Sequence, residues 1–219
     1  RRKTRLSQLK KELKTNVEII NLDISSVYNC TELYDQVKDK NIDIVINNAG
    51  FGLYGEFTSL KLEKELDMID TNIKAVHCLT KLFLEDFKKK DKGYILNVAS
   101  SAAFMPGPMM ATYYATKAYV LHFTEAIYEE LRQSGSHVYI GALCPGPVNT
   151  NFNKVAGVEF SLNALTSYDV AHYALEQMFR RKLVIVPGIQ MKLVHVFYRF
   201  VPTKLLLKIT YHIQKKKGS

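Results

Sequence analysis

A tyrosine and a lysine four positions apart could carry out proton transfer. In the segment YYATK, Tyr113 and Lys117 are at i and i+4, so a helix would place them on one face. A neighbouring ammonium favours tyrosinate and is expected to lower the phenol pKa from about 10 toward neutrality. Such a tyrosine could give a proton to a forming alkoxide or take one from an alcohol. The spacing alone is weak, because Tyr34 and Lys38 repeat it, and we interpret that copy as a solvated helix face.

Sequence context distinguishes Tyr113 from the second copy. Ser100 closes the apolar run ILNVAS and lies thirteen residues before Tyr113. The neighbouring Ser101 and Tyr114 are not an equivalent pair, because Tyr114 lacks the four-residue step to Lys117. The segments NNAG before the serine and PGPVNT after the lysine complete an ordered series. With this combination the chain resembles the classical short-chain dehydrogenase/reductase family over essentially its whole length except the C-terminal tail.

The resemblance implies catalytic roles by position. Tyr113 would be the general acid/base, and Lys117 would bind the nicotinamide ribose and lower the tyrosine pKa. Ser100 would hydrogen-bond the substrate oxygen. Asn72, in DTNIKAV, would hold a water for a proton relay, with a solvent-facing helix asparagine as the alternative.

The resemblance also implies contacts with a nicotinamide dinucleotide. The segment NNAG would line its adenosine side, the segment PGPVNT would fix the nicotinamide carboxamide, and Asp23 would contact the adenine, unless it caps a strand end instead. Arginines at the chain start would pair with the 2′-phosphate, which favours NADP(H) over NAD(H); the alternative is an ordinary basic helix start. The predicted cofactor contacts are Arg1, Arg2, Asp23, Asn48, Ala49, Gly50, Tyr113, Lys117, Pro145, Gly146, Val148 and Thr150.

Gly50, Gly52 and Gly55 spell G-x-G-x-x-G after an apolar run, as a phosphate-binding loop would. That fingerprint needs a helix that begins inside it and an acid that closes the next strand, and the sequence offers neither. We therefore interpret the glycines as a tight turn beside a ligand. The family's own phosphate loop, with its first strand and helix, is absent from the sequence, so we expect an N-terminally truncated chain.

Strand-like and helix-like segments alternate along the chain. Apolar runs predict strands at 17–24, 42–48, 93–100, 137–146 and 182–188, and amphipathic patterns predict helices at 30–39, 59–87, 113–133 and 167–180. Such an alternation indicates an α/β fold with a doubly wound parallel sheet, Rossmann-like, in a single domain over residues 1–188 that lacks its first βα unit. In the family the first strand is central, so its loss is expected to leave 17–24 on one side of the sheet.

The net charge of +9 over 219 residues is concentrated at the two ends. Residues 1–15 carry +6 and residues 180–219 carry ten Lys/Arg and no acid, which leaves −7 for the middle. Nucleic-acid binders instead carry a basic stripe through the body of the domain, so no nucleic-acid partner is expected. Residues 189–219 are predicted to be a basic amphipathic C-terminal extension of two short helices separated at Pro202. It would lie on an anionic membrane surface or cover a lipid-like substrate, or else pack on the domain or on a dimer partner.

Cys30, Cys78 and Cys144 are widely spaced and follow no metal-ligand pattern, which favours a reducing, cytoplasmic location, with peripheral membrane contact as an option, and no metal site. Together these features predict an oxidoreductase that transfers hydride between NADP(H) and an apolar ketone or alcohol, such as a 3-oxoacyl or steroid-like molecule. The methionines of FMPGPMM (104–110) would line its pocket, with ordinary core packing as the alternative. The family resemblance implies homo-oligomers. The alternative is a non-catalytic binding or membrane-associated scaffold protein that has lost the phosphate loop.

Overall fold

Parallel strands alternate with helices in the computed structural model, which describes residues 3–150, 152, 156–157 and 164–215. The strands are β1 (Ile44–Asn47), β2 (Tyr94–Val98), β3 (Tyr139–Leu143), β4 (Val148–Asn149), β5 (Leu165–Thr166) and β6 (Val184–Ile185). The helices are α1 (Lys3–Glu12), α2 (Val27–Val37), α3 (Leu62–Ile69), α4 (Ala75–Lys90), α5 (Ala111–Gln133), α6 (Ser167–Phe179), α7 (Ile189–Phe197) and α8 (Thr203–Lys215). A π-helical turn, Asp70–Lys74, joins α3 to α4.

The main sheet has the strand order β1-β2-β3-β6 and is parallel throughout, and β4 pairs with β5 in a separate parallel ladder. Successive side chains of β2 point to opposite faces. Ile95 is buried in one core cluster with Phe87 of α4, whereas Leu96 is buried in another with Met178 of α6. Helices therefore cover both faces, which confirms the predicted doubly wound α/β fold.

The strand predicted at 17–24 is wrong. These residues form no strand in the structure, although they are rich in β-branched side chains. Within the described ranges β1 is hydrogen-bonded to β2 alone, and its Ile44 and Ile46 are 38% and 46% exposed. A strand forms only where a neighbour takes up its backbone hydrogen bonds, and this segment has no ladder to join. Its separation from the sheet agrees with the sequence expectation.

The glycine-rich segment after β1 does not lead directly into a helix. A short 3-10 turn, Phe57–Ser59, comes first, and α3 begins only at Leu62. Since a phosphate loop needs its helix to start within the glycines, this segment is not a phosphate loop. Its position beside a ligand remains a prediction.

The C-terminal segment forms two short helices, as predicted. Pro202 lies between α7 and α8, and a proline cannot donate the backbone hydrogen bond that would continue α7. Over the part of the chain that the structure describes, every helix is too short or too polar to cross a membrane.

Candidate active site

Asn72 lies in the π-helical turn between α3 and α4 and is fully buried. Its amide Oδ1 accepts a hydrogen bond from the backbone N–H of Phe51 at 3.1 Å, and Nδ2 donates to the Phe51 carbonyl at 2.9 Å and to Thr116 Oγ1 at 3.1 Å. The solvent-facing alternative for Asn72 is therefore wrong. The asparagine joins the loop after β1 to α5, which carries Tyr113 and Lys117. π-Turns of this kind are frequent at functional sites.

Tyr113, Lys117 and Ser100 come together at the carboxyl end of β2. The Lys117 ammonium donates a hydrogen bond to the carbonyl of Val98 at 2.8 Å and lies 5.9 Å from the centre of the Tyr113 ring. Ser100 follows β2, and its Oγ accepts a hydrogen bond from the Ala102 N–H at 3.1 Å, which begins a 3-10 turn. Tyr113 and Lys117 are 7% and 5% exposed, so the pair lies inside the protein.

Burial sets the proton affinities of this pair. It raises the pKa of Tyr113 to about 12, against the opposing effect of a hydrogen bond with Ser100. Burial also lowers the pKa of Lys117 to about 8. The predicted lowering of the tyrosine pKa is therefore not found, because the lost hydration of the phenolate outweighs the hydrogen bond with Ser100. At neutral pH the phenol keeps its proton.

Gly50 and Gly52 bring the backbone after β1 close to these side chains. A Cβ built on Gly50 would lie 2.9 Å from Asn72 Oδ1 and 3.3 Å from Lys117 Nζ. One built on Gly52 would lie 2.8 Å from Phe152 Cζ and 3.2 Å from Tyr113 Cδ2. Both glycines thus allow the backbone after β1 to approach the side chains of the site closely, as the sequence suggested.

The surroundings of Tyr113 are apolar. The tyrosine shares a buried cluster with Met68, Ala102, Met110 and Ala156. The ring centre of Phe152 is 5.4 Å from that of Tyr113. Met110 belongs to the segment FMPGPMM and is 3% exposed inside this cluster, so it packs in the core here. The role of the segment in lining a substrate pocket remains a prediction.

A cleft of about 1260 Å³ adjoins the catalytic residues. It is lined by five of the predicted cofactor contacts, together with cationic and acidic residues of α1 and α3. These five contacts are Asp23, Asn48, Ala49, Gly50 and Thr150. The Asp23 carboxylate also accepts hydrogen bonds from Ser25 at the turn before α2. Because 17–24 forms no strand, the alternative of a strand-end cap is wrong, and the adenine contact remains a prediction.

Other predicted contacts lie elsewhere. The carbonyl of Pro145 accepts a hydrogen bond from Ser101 N–H, and Val148 pairs with Leu165 in the small ladder. Gly146 lies against Met191 of α7: a Cβ built on Gly146 would be 2.6 Å from Met191 Cγ. Arg1 and Arg2 lie outside the described residues.

The cleft fits a dinucleotide. The hydroxyl of Thr71 lines it and is buried without a hydrogen-bond partner in the protein. A buried polar group is rarely left unpaired, so a ligand atom in the cleft would complete it. Sequence reasoning missed Thr71, although it directly precedes Asn72.

A buried polar network behind the site was also missed. The amide of Asn47 donates to Thr80 Oγ1 at 3.1 Å and to Asn97 Oδ1 at 2.8 Å, and Asn97 Nδ2 donates to Thr124 Oγ1 at 3.0 Å. It ties β1 and β2 to α4 and α5 and so fixes the elements that carry the catalytic side chains. The only signal in the sequence was an asparagine inside each of two apolar runs.

The second tyrosine–lysine pair has separate partners. Tyr34 hydrogen-bonds the carboxylate of Asp86 and packs edge-on against Phe83 at 5.3 Å, while Lys38 pairs with Asp35 at 2.8 Å. Tyr34 is half-buried, so the interpretation of a solvated face is wrong for the tyrosine and right for the exposed lysine.

Known proteins similar to this chain are oxidoreductases. Residues 1–158 match the family model described as short chain dehydrogenase. An uncharacterized oxidoreductase of Staphylococcus epidermidis is 32% identical over 183 residues, which cover 81% of this chain and 78% of that protein. The very-long-chain 3-oxoacyl-CoA reductase of Homo sapiens is 30% identical over 165 residues, which cover 71% of this chain but only 52% of that protein. The solved short-chain dehydrogenase of Sphingobium yanoikuyae in complex with NADPH has a TM-score of 0.76 at 28% identity, over 89% of this chain and 75% of that one.

Proposed function

Because this chain belongs to the short-chain dehydrogenase/reductase family of oxidoreductases, we propose that it transfers a hydride between NADP(H) and an apolar ketone or alcohol. The observation that carries the proposal is the meeting of Ser100, Tyr113 and Lys117 at the carboxyl end of β2. In open α/β sheets, ligands bind at this end of the strands.

The proton step follows from the protonation states. With its pKa raised to about 12, Tyr113 is a neutral phenol at pH 7 and can donate its proton to the oxygen of a carbonyl as that carbonyl is reduced. Ser100 supports the same oxygen by a hydrogen bond. Lys117, cationic below a pKa of about 8, stabilises the tyrosinate left behind. A phenol held in its protonated form favours the reductive direction.

The bound cofactor supplies the hydride, and the chain supplies its binding residues. Thr71, Asn48 and Asp23 would contact the adenosine end, and Lys117 would contact the nicotinamide ribose. Arg1 and Arg2 would select NADP(H) by pairing with its 2′-phosphate, and NAD(H) is the alternative. We expect Arg1→Ala/Arg2→Ala to raise KM for NADPH and leave KM for NADH unchanged.

An apolar substrate is proposed from the surroundings of the catalytic phenol. Met68, Met110 and Phe152 lie around Tyr113 and offer no charged partner. Of these three side chains, Phe152 also lines the cleft, and burying an aliphatic chain against apolar surface is favourable by about 0.8 kcal/mol per CH₂ group. Substrates of this class include long 3-oxoacyl chains and steroid-like ketones, and the human relative is a reductase of very-long-chain 3-oxoacyl-CoA.

A homo-oligomer through α4 and α5 belongs to the same proposal. The rings of His77 on α4 and Phe123 on α5 stack with their centres 4.9 Å apart, and Tyr119 stacks on Phe123 at 5.5 Å. Tyr119 is 36% exposed, which leaves aromatic surface for a second copy to cover. Sedimentation equilibrium of the wild type and of Tyr119→Glu measures the oligomeric state of each protein.

The test is NADPH oxidation by the protein with a panel of ketones of increasing chain length. We expect activity that rises with chain length and falls by at least about a hundredfold in Tyr113→Phe. Tyr114→Phe is the matched control, since it removes a neighbouring buried hydroxyl, and it should keep most of the activity. Equal rates in the wild type and Tyr113→Phe would overturn the mechanism. A folded protein that binds NADPH and reduces none of the ketones would favour the non-catalytic scaffold.

A further inference from the structure

Helix α8 has its polar side inward and its apolar side outward. Thr210 and Gln214, one helical turn apart, face the domain and are 4% and 2% exposed. Leu205, Ile209 and Ile213 lie on the same spacing around the helix and are 50%, 44% and 50% exposed. Surface helices of water-soluble domains show the opposite arrangement.

Helix α7, which precedes α8 in the chain, also exposes apolar side chains. The large hydrophobic side chains of the two helices and the turn between them that are more than a third exposed form what we call the tail face. Its members are Ile189, Leu193, Val196, Phe197, Phe200, Leu205, Leu207, Ile209, Tyr211 and Ile213. Exposed apolar surface on this scale marks an interaction site.

Contacts on the inner side fix which side chains point outward. Gln214 Nε2 donates to the hydroxyl of Tyr114, next to the catalytic tyrosine. The ring of His195 of α7 packs against that of Phe104 at an interplanar angle of 43°, with ring centres 4.3 Å apart. The tail face is therefore presented by a segment anchored on the domain beside the active site.

The charged side chains of the segment are all of one sign. Residues 180–219 carry ten Lys/Arg and no Asp or Glu. Lys192, Lys204 and Lys208 lie among the apolar positions and are exposed. A short helix with apolar and cationic side chains on its outer surface is typical of proteins that lie in the interface of an anionic bilayer.

We infer that the tail face docks on the surface of an anionic lipid bilayer, with α7 and α8 parallel to its plane. A second copy of the chain is the weaker occupant, because a two-fold interface would bring the same cations of both copies together with no acid in the segment to offset them. Anionic headgroups instead attract each Lys/Arg near the surface by about 1 kcal/mol. The inference does not depend on the proposed reaction, since binding is measured without substrate.

The experiment is co-sedimentation of the full chain with vesicles of phosphatidylcholine alone or phosphatidylcholine mixed with phosphatidylserine. We expect binding to the mixed vesicles that weakens as salt is raised, and little binding to the neutral ones. Leu205→Glu/Ile209→Glu should weaken binding by at least about tenfold. Lys204→Gln and Lys208→Gln should each weaken it about fivefold.

The matched control is Leu62→Glu/Leu66→Glu on α3. This pair has the same spacing and similar exposure, at 64% and 48%, but lies outside the tail face, so it should leave binding unchanged. Circular dichroism verifies that both double variants are folded. The inference is overturned if the wild type does not bind the mixed vesicles, or if the two double variants bind equally. A dimer that Leu205→Glu/Ile209→Glu dissociates, without vesicle binding, would show a second copy as the occupant.

Discussion

Gly50 lies so close to Asn72 that a Cβ on the glycine would be 2.9 Å from Asn72 Oδ1. The same Cβ would be 3.3 Å from Lys117 Nζ. The loop after β1, the π-helical turn and α5 therefore meet at one point, and a glycine is what allows them to do so. The buried amide of Asn72 is already held by the backbone of Phe51 and by Thr116, so it has little freedom to move aside.

Gly50→Ala should therefore lower kcat/KM for ketone reduction by at least about tenfold, because the added methyl displaces the loop or the catalytic lysine, and small displacements at a site are costly. The measurement is steady-state NADPH oxidation. Gly135→Ala is the control: it lies at a surface turn with φ of 66° and no atom within 4 Å of the new Cβ. It should cost about 1 kcal/mol of stability through backbone strain and leave kcat/KM unchanged. Equal effects of the two changes on kcat/KM would contradict the steric explanation.

Lys117 should make folding less favourable at neutral pH. Its pKa is lowered by burial from 10.5 to about 8, so between those values the unfolded chain binds the proton that the folded protein has lost. Stability therefore rises with pH across that window and is lowest below pH 8. The full difference corresponds to about 3 kcal/mol.

Lys117→Met removes this penalty and also the hydrogen bond to the Val98 carbonyl, worth about 1 kcal/mol. We expect the inactive variant to be about 2 kcal/mol more stable than the wild type at pH 7, and less stable than it above pH 10.5. Urea unfolding of both proteins across this range gives the difference, in which other titrations cancel. A variant less stable than the wild type at every pH would show that the ammonium is stabilised in the folded protein.

The sequence grouped Ser100, Tyr113 and Lys117 more accurately than it described their environment. The motif spacings that carry the family resemblance singled out these three residues, and the structure brings them together at the carboxyl end of β2. Their catalytic roles remain a prediction. The pKa of Tyr113 could not be predicted, since burial by residues distant in sequence, such as Met68 and Ala156, is a tertiary property. The sequence shows the Lys117 ammonium one helical turn from Tyr113, but it does not show that the Tyr113 phenol loses its hydration.

The strand predicted at 17–24 shows a second limit. Its residues have the composition of a strand, but backbone pairing depends on which neighbour is present, and in the described part of the chain β1 offers it no ladder. The contact between Tyr114 and Gln214 shows a third limit of sequence-based prediction, because the two residues are one hundred positions apart in the chain. The tail helices themselves were predictable from their apolar periodicity and Pro202, but not which side of α8 faces the domain.

The Tyr114–Gln214 hydrogen bond should anchor α8 on the domain. Gln214 is 2% exposed and its Oε1 has no partner, so its Nε2 bond to the Tyr114 hydroxyl is the one side-chain hydrogen bond observed for this amide. Tyr114→Phe would leave the amide buried with neither end bonded, which costs about 1–3 kcal/mol. In a Gln214→Leu background no amide remains to be left unpaired, so the same change should cost under about 1 kcal/mol. Urea unfolding of the wild type, both single variants and the double variant gives the coupling energy. Equal costs of Tyr114→Phe in both backgrounds would mean that the hydrogen bond does not hold α8 in place.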